Sequence, residues 1–365
     1  MRKFKKLLKT PGIFFRDYLI KKYPIINSEQ QCHESDELSL LNHTQSLEKD
    51  YLNYSDPAQI DIVYTWINKN QQWYEEYEFH STHINPNHIG QYGNDEARFA
   101  DHDELFYSLK SVEKYLPWVR KIFVVINNLL DLPKYLLSND KVCVIEHRQI
   151  IDLEYLPTFN SHVIEAHLHN IDGLSENFIY FNDDVFVARS LEKEHFFQSN
   201  GLASLFVSKK NLDEMYNKGF HTPTLLASLH SRNLLKQTFD CYINHSLVHT
   251  YVPLKKSMYE LAWALYDSEI KSFLHNQFRG NQDLNMATFL VPWLMYVKQC
   301  SSIGNDICYY FNIRSPHAKQ QYQKLLYKTD IEKPHSICAN DFNTRDICNY
   351  TYIEGFKTFL SKYFN

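Results

Sequence analysis

Apolar and polar positions follow two different rhythms along this chain. Residues 60–67, IDIVYTWI, form a β-branched and aromatic run that predicts a strand opening the main domain. From His102 to Leu116 the apolar positions 105, 106, 109, 112 and 116 recur at the helical period, and Pro117 ends the pattern. KIFVVIN (121–127) and VCVIEH (142–147) are short, nearly continuous apolar runs, as expected of strands buried on both faces. Residues 160–171 read as helix again, Gly173 supplies a stop, and the strand NFIYF (177–181) follows. Strands alternating with helices predict an α/β fold, a Rossmann-like twisted and largely parallel sheet with helices on both faces.

Beyond residue 200 the alternation fades and long helical patterns such as 255–276 dominate, which predicts a helical portion over the carboxyl edge of the sheet. The stretch 352–364 places Ile353, Phe356, Phe359, Leu360, Tyr363 and Phe364 on one helical face, so it is expected to return and cover the core. The boundaries drawn from these patterns are 1–26 (basic segment), 27–57 (linker), 58–200 (α/β core), 201–300 (helical portion) and 301–365 (C-terminal part).

Composition narrows the picture. The 365 residues are 44% hydrophobic, enough for a large core, and a net charge of −5 gives no reason to expect nucleic acid as a partner. No apolar run approaches the roughly 18 residues of a membrane span. Seven scattered cysteines without a CxxC spacing argue against a structural zinc site or a disulfide framework and fit a reducing compartment. The first 22 residues differ: Arg2, Lys3, Lys5, Lys6, Lys9, Arg16, Lys21 and Lys22 face one acid, Asp17, and are interleaved with Phe and Leu. That segment has no signal-peptide pattern and suits peripheral contact with an anionic membrane surface, at about 1 kcal/mol per basic side chain, or else a solvated arm.

Chemistry is densest at NFIYFNDD (177–184). In an open α/β sheet the ligand crevice lies beyond the carboxyl ends of the strands, so Asp183 and Asp184 are expected to project into it. Two adjacent anions there call for a hard divalent cation, Mg²⁺ (or Mn²⁺), with substrate phosphate as a further ligand. A strand-to-turn junction with local backbone bonds is the plainer alternative. RFADHDEL (98–105) places Asp101, Asp103 and Glu104 at a helix start, where they favour the dipole, and adds Arg98, a donor fork suited to phosphate. In LPTFNSHVIEAHLH (156–169), Asn160, Ser161, His162 and Glu165 sit near another helix start. The histidines lack metalloprotease spacing, so a polar cradle for hydroxyls or phosphate is the better reading than zinc. Farther on, His249 with Lys255 and Lys256, and Arg279 with Asp283, supply a group of near-neutral pKa and cations for a pyrophosphate.

Together these blocks resemble the Stealth family of hexose-1-phosphate transferases, bacterial capsule phosphotransferases among them. DIVYTWIN resembles its opening motif. RFADHDELFYSLKSVEKYLPWVRKIFVV and LPTFNSHVIEAHLHNIDGLSENFIYFNDDVF resemble its second region, HTYVPLKKS through FRGNQD its third, and SICANDFNT its fourth. Two positions depart from the pattern: Asn276 stands where members often have His, and Tyr251 where a second Pro often follows the His.

The resemblance implies a glycosyltransferase-A-like core and a phosphotransferase of the EC 2.7 type, acting on a UDP-hexose donor and a saccharide acceptor. Hexose-1-phosphate passes to an acceptor hydroxyl and UMP departs, in capsular polysaccharide synthesis in a bacterial cytoplasm. It also implies that Asp61, Thr65, Trp66 and Asn68 line the nucleotide end. Asp101, Glu104, Asn160, Glu165, Asp183 and Asp184 would surround sugar and phosphates, and His249, Arg279, Asp283 and Asp341 form the far wall. Metal then falls to Asp183 or Asp184 with Asp341, charge neutralisation to Arg279 and a lysine such as Lys256, and proton removal to His249 or Asp101. The rival readings are a metal-dependent glycosyltransferase that releases UDP, and a noncatalytic membrane-associated sugar-binding protein.

Overall fold

The computed structural model describes residues 7–8, 11–22, 59–84, 90, 101–341 and 351–365; the expected linker, 27–57, lies outside them. In chain order the strands are β1 (Ile60–Thr65), β2 (Ile122–Ile126), β3 (Val142–Glu146), β4 (Asn177–Asn182), β5 (Val185–Val187) and β6 (Ala203–Asn211). They continue as β7 (His245–Leu247), β8 (Val252–Lys255), β9 (Ser301–Gly304), β10 (Cys308–Asn312) and β11 (Ser336–Asn340). The helices used below are α1 (Pro11–Lys22), α2 (Gln71–His83), α3 (Glu104–Tyr115), α4 (Ser161–Ala166), α5 (Pro223–Phe239), α6 (Lys256–Leu274), α7 (Ala318–Tyr327) and α8 (Thr351–Phe364).

The main sheet has the order β3-β2-β1-β4-β8 and is parallel except for β8, which runs antiparallel beside β4. Ile62, Val63, Tyr64, Phe178, Ile179 and Phe181 are fully buried, which is why both strands read as continuous apolar runs. Each such side chain contributes about 1.5–3 kcal/mol of transfer free energy. The chain leaves β1 toward β2 and β3 and returns on the other side as β4, so the topological switch point falls between β1 and β4.

Two smaller sheets, β10-β11-β5 and β7-β6-β9, flank the main one. The stretch 201–300 is therefore only partly helical: it also supplies β6, β7 and β8, strands held by long-range partners rather than announced by a local period. α3 begins at Glu104, later than the apolar pattern suggests, and buries Leu105, Leu109 and Val112. Its small residues at the same spacing, Ser108 and Ser111, fasten it to β5: Ser108 donates to the Val185 carbonyl at 2.5 Å and Ser111 Oγ accepts from the Val187 amide at 3.0 Å. α8 covers the core as expected, burying Phe356, Phe359, Leu360, Tyr363 and Phe364 and stacking Phe359 on Tyr322 of α7 at 4.6 Å. On α1, Phe15, Tyr18 and Leu19 are exposed on one face. Among the described residues no helix is long and apolar enough to cross a membrane.

Candidate active site

Thr65 pairs with Asn182 in the parallel register, so β1 and β4 end level with each other. Trp66 leaves one and Asp183 the other at the switch point, where an open α/β sheet forms its crevice. The acidic turn leads directly into β5, whose Val185 lies opposite Cys338 of β11; the Ala339 amide bonds the Asp184 carbonyl at 3.0 Å. This pairing carries Asn340 and Asp341 to the same edge. β8 brings His249 there because it is antiparallel: Tyr180 lies opposite Val252, so the residues before 252 extend beyond the carboxyl end of β4.

These elements enclose a cavity of about 470 Å³ lined by Thr65, Trp66, Asp101, Glu104, Glu165, Asp183, Asp184, His249, Arg279 and Asp341. Ten of the expected residues thus share one space. The clamp between α3 and β5 sets the acids of the 101–104 loop against the Asp183–Asp184 turn, and Lys357 of α8 holds that loop through Asp103 at 2.7 Å. Arg279 enters from the far wall, donating to Ser161 Oγ at 3.0 Å and Thr224 Oγ1 at 3.2 Å.

The acidic side is electrostatically stressed. Desolvation, then Asp184 and Asp101, push the Asp183 carboxyl up to about 8. Glu104 is likewise held well above the carboxylate range by desolvation and by Asp183 and Asp101, against a bond from the His102 amide. Asp184 Oδ1 and Asn340 Oδ1 are buried without a hydrogen-bond partner. Stranded oxygen acceptors beside mutually repelling carboxylates fit a divalent cation, which would supply the missing positive charge.

Asp341 differs from this group. Arg314 engages both its oxygens and His102 Nε2 lies 3.3 Å away; burial alone would raise its pKa, but these partners hold it below the usual range. Its charge is already answered, which removes the expected reason for it to be a metal ligand.

Five other expectations are corrected by position. Asp61 lies near the start of β1, at the opposite edge, where it pairs with Arg120 and accepts from the Ser175 amide at 2.8 Å. Asn68 is buried behind the cavity and ties the loop after β1 to that after β2, its backbone amide donating to Asn127 Oδ1 at 2.7 Å and its side chain to the Asn128 carbonyl at 3.3 Å. Lys256 opens α6 just beyond Lys255, which pairs with Asn177 at the amino end of β4; at about 3.3 Å per residue the chain has run far from His249 by then. Asn160 and Asp283 form the scaffold behind the wall. Asn160 caps α4 and donates to Asp283 at 2.9 Å, while Asp283 also binds His162 at 3.0 Å, Asn276 at 2.8 Å and the Gly280 amide at 3.0 Å. Arg98 lies outside the described residues.

Several lining residues carried no sequence signal. Lys69, Lys210 and Asn127 reach the cavity from loops or strand ends without a motif, and Trp73 of α2 stands with Phe159 as an aromatic wall. His147 also lines it; burial and nearby His167 push its pKa down to about 3, so the ring is neutral, and its Nε2 is buried without a partner. The histidines after His162 are dispersed: His167 donates to the Val163 carbonyl at 2.7 Å and His169 stacks on Tyr259 at 5.7 Å.

Acids facing cations across a cavity at a switch point are the equipment of α/β enzymes that handle phosphorylated, cation-binding substrates. Known proteins narrow this class. Residues 98–205 match conserved region 2 of the Stealth proteins. The capsular polysaccharide phosphotransferase fcs1 of Haemophilus influenzae is 52% identical over 370 residues, covering 100% of both chains. LcbA of Neisseria meningitidis, a capsular polysaccharide phosphotransferase, is 52% identical over 369 residues, again covering 100% of both. The exopolysaccharide phosphotransferase SCO2592 of Streptomyces coelicolor is 30% identical over 84% of this chain and 32% of its own. The galactosyltransferase LgtC, solved with donor and acceptor sugar analogs, superposes with a TM-score of 0.41 at 11% identity over 82% of this chain and 95% of that one, too loosely to bear on the site. The chain belongs to the Stealth family of phosphotransferases.

Proposed function

We propose that this chain moves a hexose-1-phosphate, plain or N-acetylated, from a UDP-sugar to a hydroxyl of a saccharide acceptor in capsular polysaccharide synthesis. The observation that carries this reading is the meeting of Asp101, Glu104, Asp183 and Asp184 with His249 and Arg279 in one cavity. Thr65, Trp66, Asn127 and His147 take the uridine end, while Glu165, linked to Thr65 through the Tyr180 hydroxyl, faces the sugar. Arg279 and Lys210 neutralise the pyrophosphate. Asp183 and Asp184 would hold Mg²⁺ (or Mn²⁺), which would offset charge on the phosphate oxygens.

The acceptor oxygen attacks the sugar-bearing phosphorus, the bond from that phosphorus to the UMP oxygen breaks, and the acceptor proton passes to His249 or Asp101. Positioning does most of this work, since in-line displacement at phosphorus needs little covalent help. The reaction takes place in the bacterial cytoplasm. The exposed Phe15, Tyr18 and Leu19 of α1, set among basic residues, support contact with the inner membrane surface.

Incubation with a panel of UDP-sugars, Mg²⁺ and oligosaccharide acceptor tests the reading by product mass and phosphorus NMR. A phosphodiester-linked product with UMP is expected. UDP would point instead to ordinary glycosyl transfer, and no nucleotide release to a noncatalytic binding protein.

A further inference from the structure

Behind the acidic turn the wall changes chemical character. The β5–β11 register sets Cys338 opposite Val185, so its thiol lies against Asp184, with Sγ 3.4 Å from Oδ2. His249 comes in from β8's leading end. One ligand atom each of Asp184, His249 and Cys338 can be chosen so that all lie within 4.8 Å of one another.

We propose that Asp184, His249 and Cys338 form a binding site for a borderline transition-metal ion of the Zn²⁺ type, with a ligand set different from the all-oxygen one that suits Mg²⁺. Mg²⁺ takes oxygen ligands in an octahedron, whereas one thiolate, one imidazole and one carboxylate are a zinc donor set. Zinc bonds of about 2.3 Å to sulfur and about 2.0 Å to oxygen, at a tetrahedral angle, put those two ligands about 3.5 Å apart, close to the 3.4 Å found here. With every ligand atom within 4.8 Å of the others, His249 closes the triangle by a shift of at most about 1.5 Å, judged from the same tetrahedral edges.

The surroundings support the ligands. Asn340 Nδ2 donates to Asp184 Oδ2 at 3.2 Å and fixes the carboxylate, and the His249 ring rests against Tyr310 at 5.4 Å. The stranded Oδ1 atoms of Asp184 and Asn340 add negative potential at the same spot. Binding displaces the thiol proton of Cys338 to the buffer, leaving a thiolate on the metal and an open fourth position toward the cavity. If the role given to His249 above is right, such an ion also inhibits, because it occupies that imidazole and shares Asp184 with the catalytic cation.

The test uses the full chain, freed of divalent cations and titrated with Co²⁺ as a spectroscopic stand-in. The wild type should develop a thiolate-to-cobalt charge-transfer band that Zn²⁺ erases. C338S should lack the band, while C308S, whose native thiol bonds the His249 carbonyl at 3.3 Å, should keep it. Absence of the band in the wild type overturns the proposal, even if C338S does not fold, and so does a band that persists in folded C338S. In UMP release at saturating Mg²⁺, with each protein scaled to its own zinc-free rate, C338S should need at least about tenfold more Zn²⁺ for half-inhibition. A band without inhibition would uphold the metal site and contradict the catalytic role of His249.

Discussion

At the amino edge of the main sheet Asp61 accepts from Arg120 Nε at 2.8 Å, the Lys121 amide at 3.2 Å and the Ser175 amide at 2.8 Å. At the carboxyl edge Asp183 sits beside Asp184 and Asp101 with its pKa pushed up to about 8, and Asp184 Oδ1 has no hydrogen-bond partner. The residue type and the sheet are the same, and each acid follows or belongs to an apolar strand. What separates a structural carboxylate from a chemical one is the supply of donors around it.

The comparison breaks most visibly if the carboxyl edge is neutralised. Asp183→Asn should cost roughly 10³ in kcat, as removal of a charge centre at the transition state does. The cation-free variant should nevertheless melt higher than the wild type in alkaline buffer. The sign follows from linkage: folded Asp183 keeps its proton up to about 8 while the unfolded carboxyl loses it near its usual 3.8, so folded stability falls as pH rises between those values, and Asn abolishes the fall. A variant that loses stability while keeping its kcat per folded molecule would place Asp183 with Asp61 instead.

Replacing Asp101 or His249 by Ala should lower turnover by about 10² or more for whichever is the base. Rates near wild type for both would remove the assignment. At the amino edge Asp61→Ala should reverse the pattern, costing about 2–4 kcal/mol in urea unfolding because Arg120 loses its partner, with kcat per folded molecule unchanged. Asp306 gives the smallest effect. Burial would raise its pKa, but His195 at 2.9 Å and the Tyr251 hydroxyl at 2.7 Å hold it below the usual value. Its stabilising contribution is therefore complete above that value and drains away as pH falls through the depressed one, so Asp306→Asn should flatten the acid limb of a melting-temperature profile.

The parallel core was legible because β1, β2 and β4 are buried and α3 keeps its period at 105, 109 and 112; β3, expected to be buried on both faces, is instead a half-buried edge strand. The acidic turn was legible because it terminates an apolar run. Strand direction was not: nothing local in VPLKK says that β8 runs antiparallel, and that alone sends His249 to the cavity and Lys256 to the far edge. The family resemblance implies a place for Asp61 at the nucleotide end, whereas its position at the beginning of IDIVYT, away from Trp66, puts it at the opposite edge. Cys338, Asn340 and Asp341 reach the acidic turn through the β5–β11 pairing, a long-range contact that leaves no periodic trace. Asp341 and Asp283 showed their type but not their partners, and the partners decide the role.

The most direct test is the fate of one bridging oxygen. A UDP-hexose carrying oxygen-18 between the anomeric carbon and the outer phosphorus should deliver the label into the phosphodiester product, since attack at phosphorus leaves the carbon–oxygen bond intact. Label departing with UDP would mean attack at carbon and would contradict the account.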